Sequence, residues 1–257
     1  MMSSSFVDVS GIRLELNRCG QGRPLLMLCS EEMLELEAPI LKSLAQQYEL
    51  IIPSPPGFGR SERPEWVSSP DDIAYIYLDL VETLGLKDAI VLGFSLGGWI
   101  AAEMATKHDS FISQLILVSP YGVKFGAPTD RDVADIWMLH PDDVLRRKWF
   151  DAAKGTRDFK SMPQDALAII ARNNESFARF CWEPYMHNPK LQHRLHRVKV
   201  PTLVVSGAGD GITSPEYGRN YAKLIPGAEM AIIPEAGHYP HLEQPAKFME
   251  RLRAFVG

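Results

Sequence analysis

Six short apolar runs constrain the fold of this chain more than any other feature: Leu25 to Cys29, Leu50 to Pro53, Ala89 to Gly93, Leu115 to Val118, Thr202 to Ser206 and Met230 to Ile233. Each is strand-sized and lacks the alternation of a half-wetted strand, so each reads as a strand buried on both faces. Stretches with helical periodicity lie between most of them: Glu35 to Gln47, Asp71 to Leu84, Leu96 to His108, Pro215 to Leu224 and Gln244 to Val256. Strands that alternate with helices pair in parallel, because a helical crossover brings the chain back to the same end of the sheet. Ahead of these runs, Phe6 to Val9 and Ile12 to Arg18 alternate apolar and polar residues around Ser10-Gly11, which predicts an antiparallel hairpin at a sheet edge. The expected architecture is α/β, an eight-stranded mostly parallel sheet flanked by helices.

One interval breaks the alternation. Residues 120–198 contain helix-like pieces but no convincing buried strand, and they carry a formal charge of +3 while the remainder carries −8. They read as an inserted lobe whose charge follows from solvated helix faces. With 46% apolar and 23% charged residues over 257 positions, the chain can bury one extensive core, which excludes disorder. A net charge of −5 offers no basic field for nucleic acid or an anionic membrane, so a small molecule is the expected partner. The apolar runs are far too short to span a bilayer, and no secretory signal is recognised at the start. Three cysteines, Cys19, Cys29 and Cys181, form no close C-x-x-C pair, which fits a reducing compartment and predicts a cytoplasmic protein.

The sharpest local signal is Gly93-Phe94-Ser95-Leu96-Gly97-Gly98, which follows an apolar strand directly and precedes a helical run. A serine at such a strand-to-helix turn needs small neighbours where the turn meets adjoining backbone, and its hydroxyl is thrust out at the strand's C-terminal end. A serine hydroxyl is a weak nucleophile at neutral pH and requires a base that a third group orients. Asp210, in Ser206-Gly207-Ala208-Gly209-Asp210-Gly211, and His238, in Glu235-Ala236-Gly237-His238-Tyr239-Pro240, both stand just beyond strand C-termini. In a parallel sheet those ends share one edge, where Ser95, Asp210 and His238 can converge. His241 competes with His238 on proximity, and Asp210 could instead serve only to cap its turn. His140, His187, His193 and His196 are scattered through the lobe without metal-ligand spacing, so no metal is expected.

On these residues the chain resembles the α/β-hydrolase superfamily, whose triad follows the order Ser, Asp, His. Two further segments share the likeness: Pro56-Gly57-Phe58-Gly59-Arg60-Ser61 after the fourth strand, and Leu242-Glu243-Gln244-Pro245 at the start of the final helix. The resemblance covers essentially the whole length. It implies a core of residues 1–119 and 199–257, a helical lid of residues 120–198 inserted after the sixth strand, and a serine hydrolase without cofactor. Ser95 would attack, His238 would move the proton, and Asp210 would fix the imidazole tautomer. Carboxylic esters, lactones or thioesters are the leading substrates. One alternative is hydrolysis of a carbon-carbon bond in a meta-cleavage-type diketone, and another is a slow or non-catalytic ligand-binding protein.

A departure follows the third strand. Relatives usually read His-Gly there, whereas this chain reads Leu28-Cys29-Ser30-Glu31-Glu32. By position, the resemblance implies that the backbone N–H groups of Glu31 and Leu96 would form the oxyanion hole. A carboxylate there opposes a developing negative charge unless it is paired or turned away. Glu31 and Glu32 read either as solvated loop residues or as groups that polarise substrate. In the lobe, Trp182 and Tyr185 of Trp182-Glu183-Pro184-Tyr185 are the candidate substrate-binding aromatics.

Overall fold

Apolar runs that bury both faces must form the interior of a sheet covered on each side, and the computed structural model, which describes residues 2–32 and 40–257, has that arrangement. Its eight strands are β1 (Ser3–Val9), β2 (Ile12–Cys19), β3 (Arg23–Leu28), β4 (Tyr48–Pro53), β5 (Ala89–Phe94), β6 (Ile112–Val118), β7 (Thr202–Gly207) and β8 (Glu229–Ile233). They lie in one sheet in the order β1-β2-β4-β3-β5-β6-β7-β8. The expected hairpin forms the antiparallel edge, β2 also runs antiparallel to β4, and every other pairing is parallel. All residues of β5 and β7 are buried. The strand order reverses between β4 and β3, so β3 and β5 lie side by side, with Leu28 paired to Gly93.

Helices α1 (Pro70–Thr83), α2 (Leu96–Lys107), α5 (Pro215–Lys223), the short α6 (Pro240–Glu243) and α7 (Pro245–Val256) accompany the sheet. Local chemistry starts α1: Ser69 accepts the Asp72 N–H while the Asp72 carboxylate accepts the Ser69 N–H, a capping box with proline at the first helical position. Every residue of α2 but Lys107 is buried, so this helix is covered on all sides. The helix expected over Glu35 to Gln47 lies partly outside the described residues; residues 40–44 are helical and 45–47 turn into β4. Strand β6 starts three residues earlier than its apolar run. Ser113 and Gln114 conceal that start in the sequence; Ser113 Oγ and Gln114 Nε2 donate to backbone carbonyls, those of Ala89 at 2.9 Å and Val256 at 3.1 Å.

Between β6 and β7 the chain leaves the sheet and carries α3 (Pro141–Lys148) and α4 (Gln164–Cys181). Among the described residues of this excursion, strand-type pairing is confined to isolated bridges, Gly122 with His187 and Val133 with Thr213. Helix α4 rests on the loop after β4. Arg172 Nε and Ser176 Oγ donate to the Gly57 carbonyl at 3.0 and 2.8 Å, and Asn173 Oδ1 accepts the Gly59 N–H at 2.9 Å. Gly57 has φ +84°, and a Cβ there would stand 2.7 Å from Ser176 Oγ, so both conformation and close approach demand glycine.

Candidate active site

Ser95 is the single residue between β5 and α2, and it turns the chain with φ 51° and ψ −111°. An L-residue pays strain for that conformation, which persists because the surroundings fix it. Its N–H donates to the Val118 carbonyl at 2.9 Å, and its own carbonyl accepts from Trp99 and Tyr121. The flanking glycines are required by space. A Cβ at Gly93 would meet the Gly97 carbonyl oxygen at 2.5 Å, and one at Gly97 would collide with the carbonyls of Leu28 and Cys29. The turn is therefore wedged against the end of β3, which places residues 29–31 beside the N-terminus of α2. The first N–H groups of a helix lack intrahelical acceptors and carry a positive partial charge, which faces this corner.

The other two candidates arrive on β7 and β8. His238 Nε2 lies 2.8 Å from Ser95 Oγ, and His238 Nδ1 lies 2.9 Å from Asp210 Oδ2. Because a carboxylate oxygen accepts, Nδ1 carries the proton and Nε2 is left to accept the serine hydroxyl. Asp210 also caps its turn: Oδ1 accepts the N–H groups of Ile212 at 2.9 Å and Thr213 at 3.0 Å, while Thr213 Oγ1 donates to Oδ2 at 2.9 Å. Backbone capping of the turn thus falls to Oδ1, while Oδ2 meets both the histidine and the Thr213 hydroxyl, so one carboxylate serves both roles. The imidazole is stacked on Tyr121, with ring centroids 5.4 Å apart and planes 23° apart. Gly237 serves close approach, since a Cβ there would be 2.9 Å from the Phe150 nitrogen and closer still to the Lys148 carbonyl. Chemically, the arrangement can deprotonate an alcohol at a strained turn and return the proton to a leaving group.

Glu31 and Glu32 depart from the solvated-loop reading. Glu31 is 4% exposed, and Glu32 is also largely covered. Lys148, the last residue of α3, lies 3.2 Å from Glu31 Oε1 and 2.7 Å from Glu32 Oε1, and Arg157 reaches Glu32 Oε2 at 3.1 Å. Burial pushes the Glu32 carboxyl up, but Lys148 and Arg157 beside it hold it below the usual carboxylate range. Burial likewise works against the charged Lys148, yet the two glutamates prevail and hold the ammonium well above the ordinary lysine range. The hydroxyls of Tyr121 and Tyr239 also point at Glu31 Oε1, each at 3.4 Å. Nothing local in the sequence marks Lys148, which lies 117 positions from Glu31.

Glu243 likewise carries no local mark in the sequence. Its buried carboxylate accepts the N–H groups of Gly237 at 2.6 Å, Phe150 at 3.1 Å and Asp151 at 3.0 Å, which clips the histidine loop to the excursion. Trp182 is 55% exposed and packs on Trp137 with centroids 5.4 Å apart. Tyr185 turns its hydroxyl to the Ala134 carbonyl at 2.6 Å and accepts the Ile136 N–H at 2.9 Å. Neither has a described contact with Ser95 or His238. His241 is buried beside Phe94, ring centroids 4.1 Å apart, and among the described residues neither ring nitrogen has a hydrogen-bond partner; burial, and secondarily His238, push it down to about 3. Among the described residues there is no cluster of His, Cys, Asp or Glu suited to a metal ion, and no helix is long and apolar enough to cross a membrane.

Residues 29–251 match the description of the alpha/beta hydrolase family. The chain belongs to that family. It is 26% identical, over 97% of its length and 92% of the other, to a 2-hydroxymuconate semialdehyde hydrolase from Pseudomonas sp. (strain CF600). It is 24% identical, over 84% of its length and 86% of the other, to a pimeloyl-[acyl-carrier protein] methyl ester esterase from Vibrio cholerae. Among solved structures, a meta-cleavage product hydrolase from Pseudomonas fluorescens IP01 superposes with a TM-score of 0.80 at 18% identity, over 98% of this hydrolase-family chain and 97% of the other. That likeness shows the shared fold.

Proposed function

We propose that this chain is a cofactor-independent serine hydrolase that opens a small carboxylic ester, lactone or thioester through an acyl-enzyme on Ser95. The observation that carries this reading is the relay from Ser95 Oγ through His238 to Asp210, with spacings of 2.8 and 2.9 Å. In the first step Ser95 Oγ bonds to the substrate carbonyl carbon as His238 Nε2 takes the hydroxyl proton, which His238 then gives to the leaving alcohol or thiol. Water then bonds to the acyl carbon as His238 Nε2 removes its proton, the bond from that carbon to Ser95 Oγ breaks, and His238 returns the proton to Oγ, which frees the acid and regenerates Ser95. The N–H groups of Leu96 and Glu31 face the developing oxyanion. The excursion over residues 120–198 acts as the lid of a core formed by residues 1–119 and 199–257. Trp182 and Tyr185 remain candidates for the outer wall of the substrate route.

A second reading is hydrolysis of a carbon-carbon bond in a meta-cleavage-type diketone. It is favoured by the relatives named for 2-hydroxymuconate semialdehyde and meta-cleavage products, just as the ester reading is favoured by the relative named a methyl ester esterase. A fluorophosphonate probe tests what both share: the wild-type chain is labelled and Ser95→Ala is not. An unreactive wild type would sink the hydrolase reading. Turnover of esters, lactones and thioesters, compared with vinylogous diketones on the same preparation, decides between the two.

A further inference from the structure

In the sequence, Glu31 raises a physical conflict, because its N–H is placed to receive an oxyanion while its side chain carries the same charge as that oxyanion. The structure resolves the conflict with a cation from a remote element. We infer that Lys148 is a positioning residue for the reaction proposed above: it neutralises the Glu31 carboxylate and fixes the loop that carries the Glu31 N–H. This inference rests on the serine-hydrolase reading.

Three observations support it. First, the cluster is charge-balanced and covered, with Glu31 and Glu32 facing Lys148 and Arg157, and side-chain exposures of 4% for Glu31 and 10% for Lys148. Attraction and repulsion between charges so poorly solvated are much stronger than on a wetted surface. Second, the same residue touches the proton-transfer side of the site, because the Lys148 carbonyl accepts the His238 N–H at 2.7 Å. One residue at the end of α3 therefore holds the donor loop by its side chain and the histidine by its main chain. Third, Tyr121 connects the two sides: its hydroxyl meets Glu31 Oε1 at 3.4 Å while its ring lies against the His238 imidazole. A negative charge left unbalanced at Glu31 would thus act on the place where negative charge develops in the transition state.

The two glutamates provide the test. Glu32 is the closer partner of Lys148, but it retains Arg157 when the lysine is lost, whereas Lys148 is the only cation paired with Glu31 among the described residues. If Lys148 served packing alone, removing either carboxylate in a Lys148→Met background would bring similar relief. If it neutralises charge at the oxyanion, only loss of the Glu31 charge restores turnover. Initial rates on a p-nitrophenyl ester are to be measured well below the unfolding temperature, with active sites counted by fluorophosphonate labelling so that misfolded protein drops out of the rate. Lys148→Met is expected to lower kcat about a hundredfold and change KM less than about threefold, since the lost interaction belongs to the transition state. Glu31→Gln added to it is expected to recover kcat about tenfold, and Glu32→Gln less than about threefold. Unchanged kcat in Lys148→Met, or equal recovery by both glutamine variants, overturns the inference. Should Lys148→Met yield no countable sites, Lys148→Gln carries the same comparison. A wild type that neither labels nor turns over, with Ser95→Ala as control, would instead bring down the underlying hydrolase reading, so the two failures are distinguishable.

Discussion

Asp210 shows how much one side chain can be asked to do. Its Oδ2 orients the His238 imidazole while its Oδ1 caps a turn with two backbone N–H groups. Asp210→Asn can keep the Oδ1 bonds but presents an amide donor to Nδ1, which favours the wrong tautomer. The expected result is a folded protein whose kcat falls by about 10³ to 10⁴, the size of loss seen when a triad aspartate is replaced in this way; an unchanged kcat would exclude Asp210 from the reaction. His241 makes a different prediction, one about stability. Its folded-state pKa of about 3 lies below the ordinary histidine value of about 6.5, which the unfolded chain keeps. Below about pH 6.5 the unfolded chain therefore binds a proton that the folded chain refuses, and the unfolded state gains. Stability contributed by neutral His241 is full above that pH and is lost as pH falls toward 3. His241→Leu should flatten this decline in urea-unfolding free energies, a difference on the order of a few kcal/mol by pH 4, whereas an identical slope in both proteins would refute it. At this scale the sequence was legible where chemistry is local. Ser95, Asp210 and His238 each sit in a small-residue turn beyond an apolar run, but Lys148, Glu243 and Tyr121 matter through partners that only the fold brings near.

The element that concentrates the constraints is the turn from β5 into α2. Gly97 illustrates the cost of changing it, because both groups a Cβ would strike are backbone carbonyls, of Leu28 and Cys29, which cannot rotate away as a flexible side chain would. Gly97→Ala must push α2 off the end of β3. It is expected to lose at least about 2 kcal/mol of stability, as overpacking of a rigid site does, and to reduce fluorophosphonate labelling because the 29–31 loop moves with it. Wild-type denaturation midpoint and labelling rate in the alanine variant would contradict this account. Elements with strong periodicity could be read in advance: the buried strands lie where the apolar runs stand, and α1, α2, α5 and α7 match their expected spans within a residue. What could not be read was polar structure. The start of β6 is hidden by Ser113 and Gln114, and α3, Pro-Asp-Asp-Val-Leu-Arg-Arg-Lys, has too few apolar positions to display a helical stripe. Its stability comes from acids in the first turn, bases in the last and proline at the start, together with the buried Lys148.

Over the whole molecule, the governing fact is that Ser95 and His238 are each only 1% exposed. We propose that a substrate reaches the Ser95 hydroxyl when part of the 120–198 excursion moves, and the contacts between the excursion and the core distinguish its two sides. Helix α4 meets the loop after β4 through hydrogen bonds from Arg172 and Ser176 and to Asn173, while Phe177 stacks on Tyr121 with ring centroids 6.1 Å apart. By contrast, the end of α3 is tied to the histidine loop by the buried Glu243 carboxylate and to the loop after β3 by the charge pairs of Lys148. Opening is therefore expected on the α4 side, with the α3 side as the fixed wall. Arg172 donates to two carbonyls, those of Gly57 and Ser61. At about 0.5 to 1.5 kcal/mol per net hydrogen bond, their loss in Arg172→Ala should shift the closed-to-open balance by about 1 to 3 kcal/mol, roughly five- to 150-fold in population. When opening limits access, labelling by a bulky fluorophosphonate should accelerate in that variant, and Lys154→Ala, on the opposite side where the ammonium meets the Glu243 carbonyl at 3.5 Å, should leave the rate near wild type. Acceleration by Lys154→Ala, or none by Arg172→Ala, would assign the moving side to α3 instead. That outcome would also bear on Lys148, because a wall that swings open with every turnover could not hold a charge pair fixed beside the oxyanion.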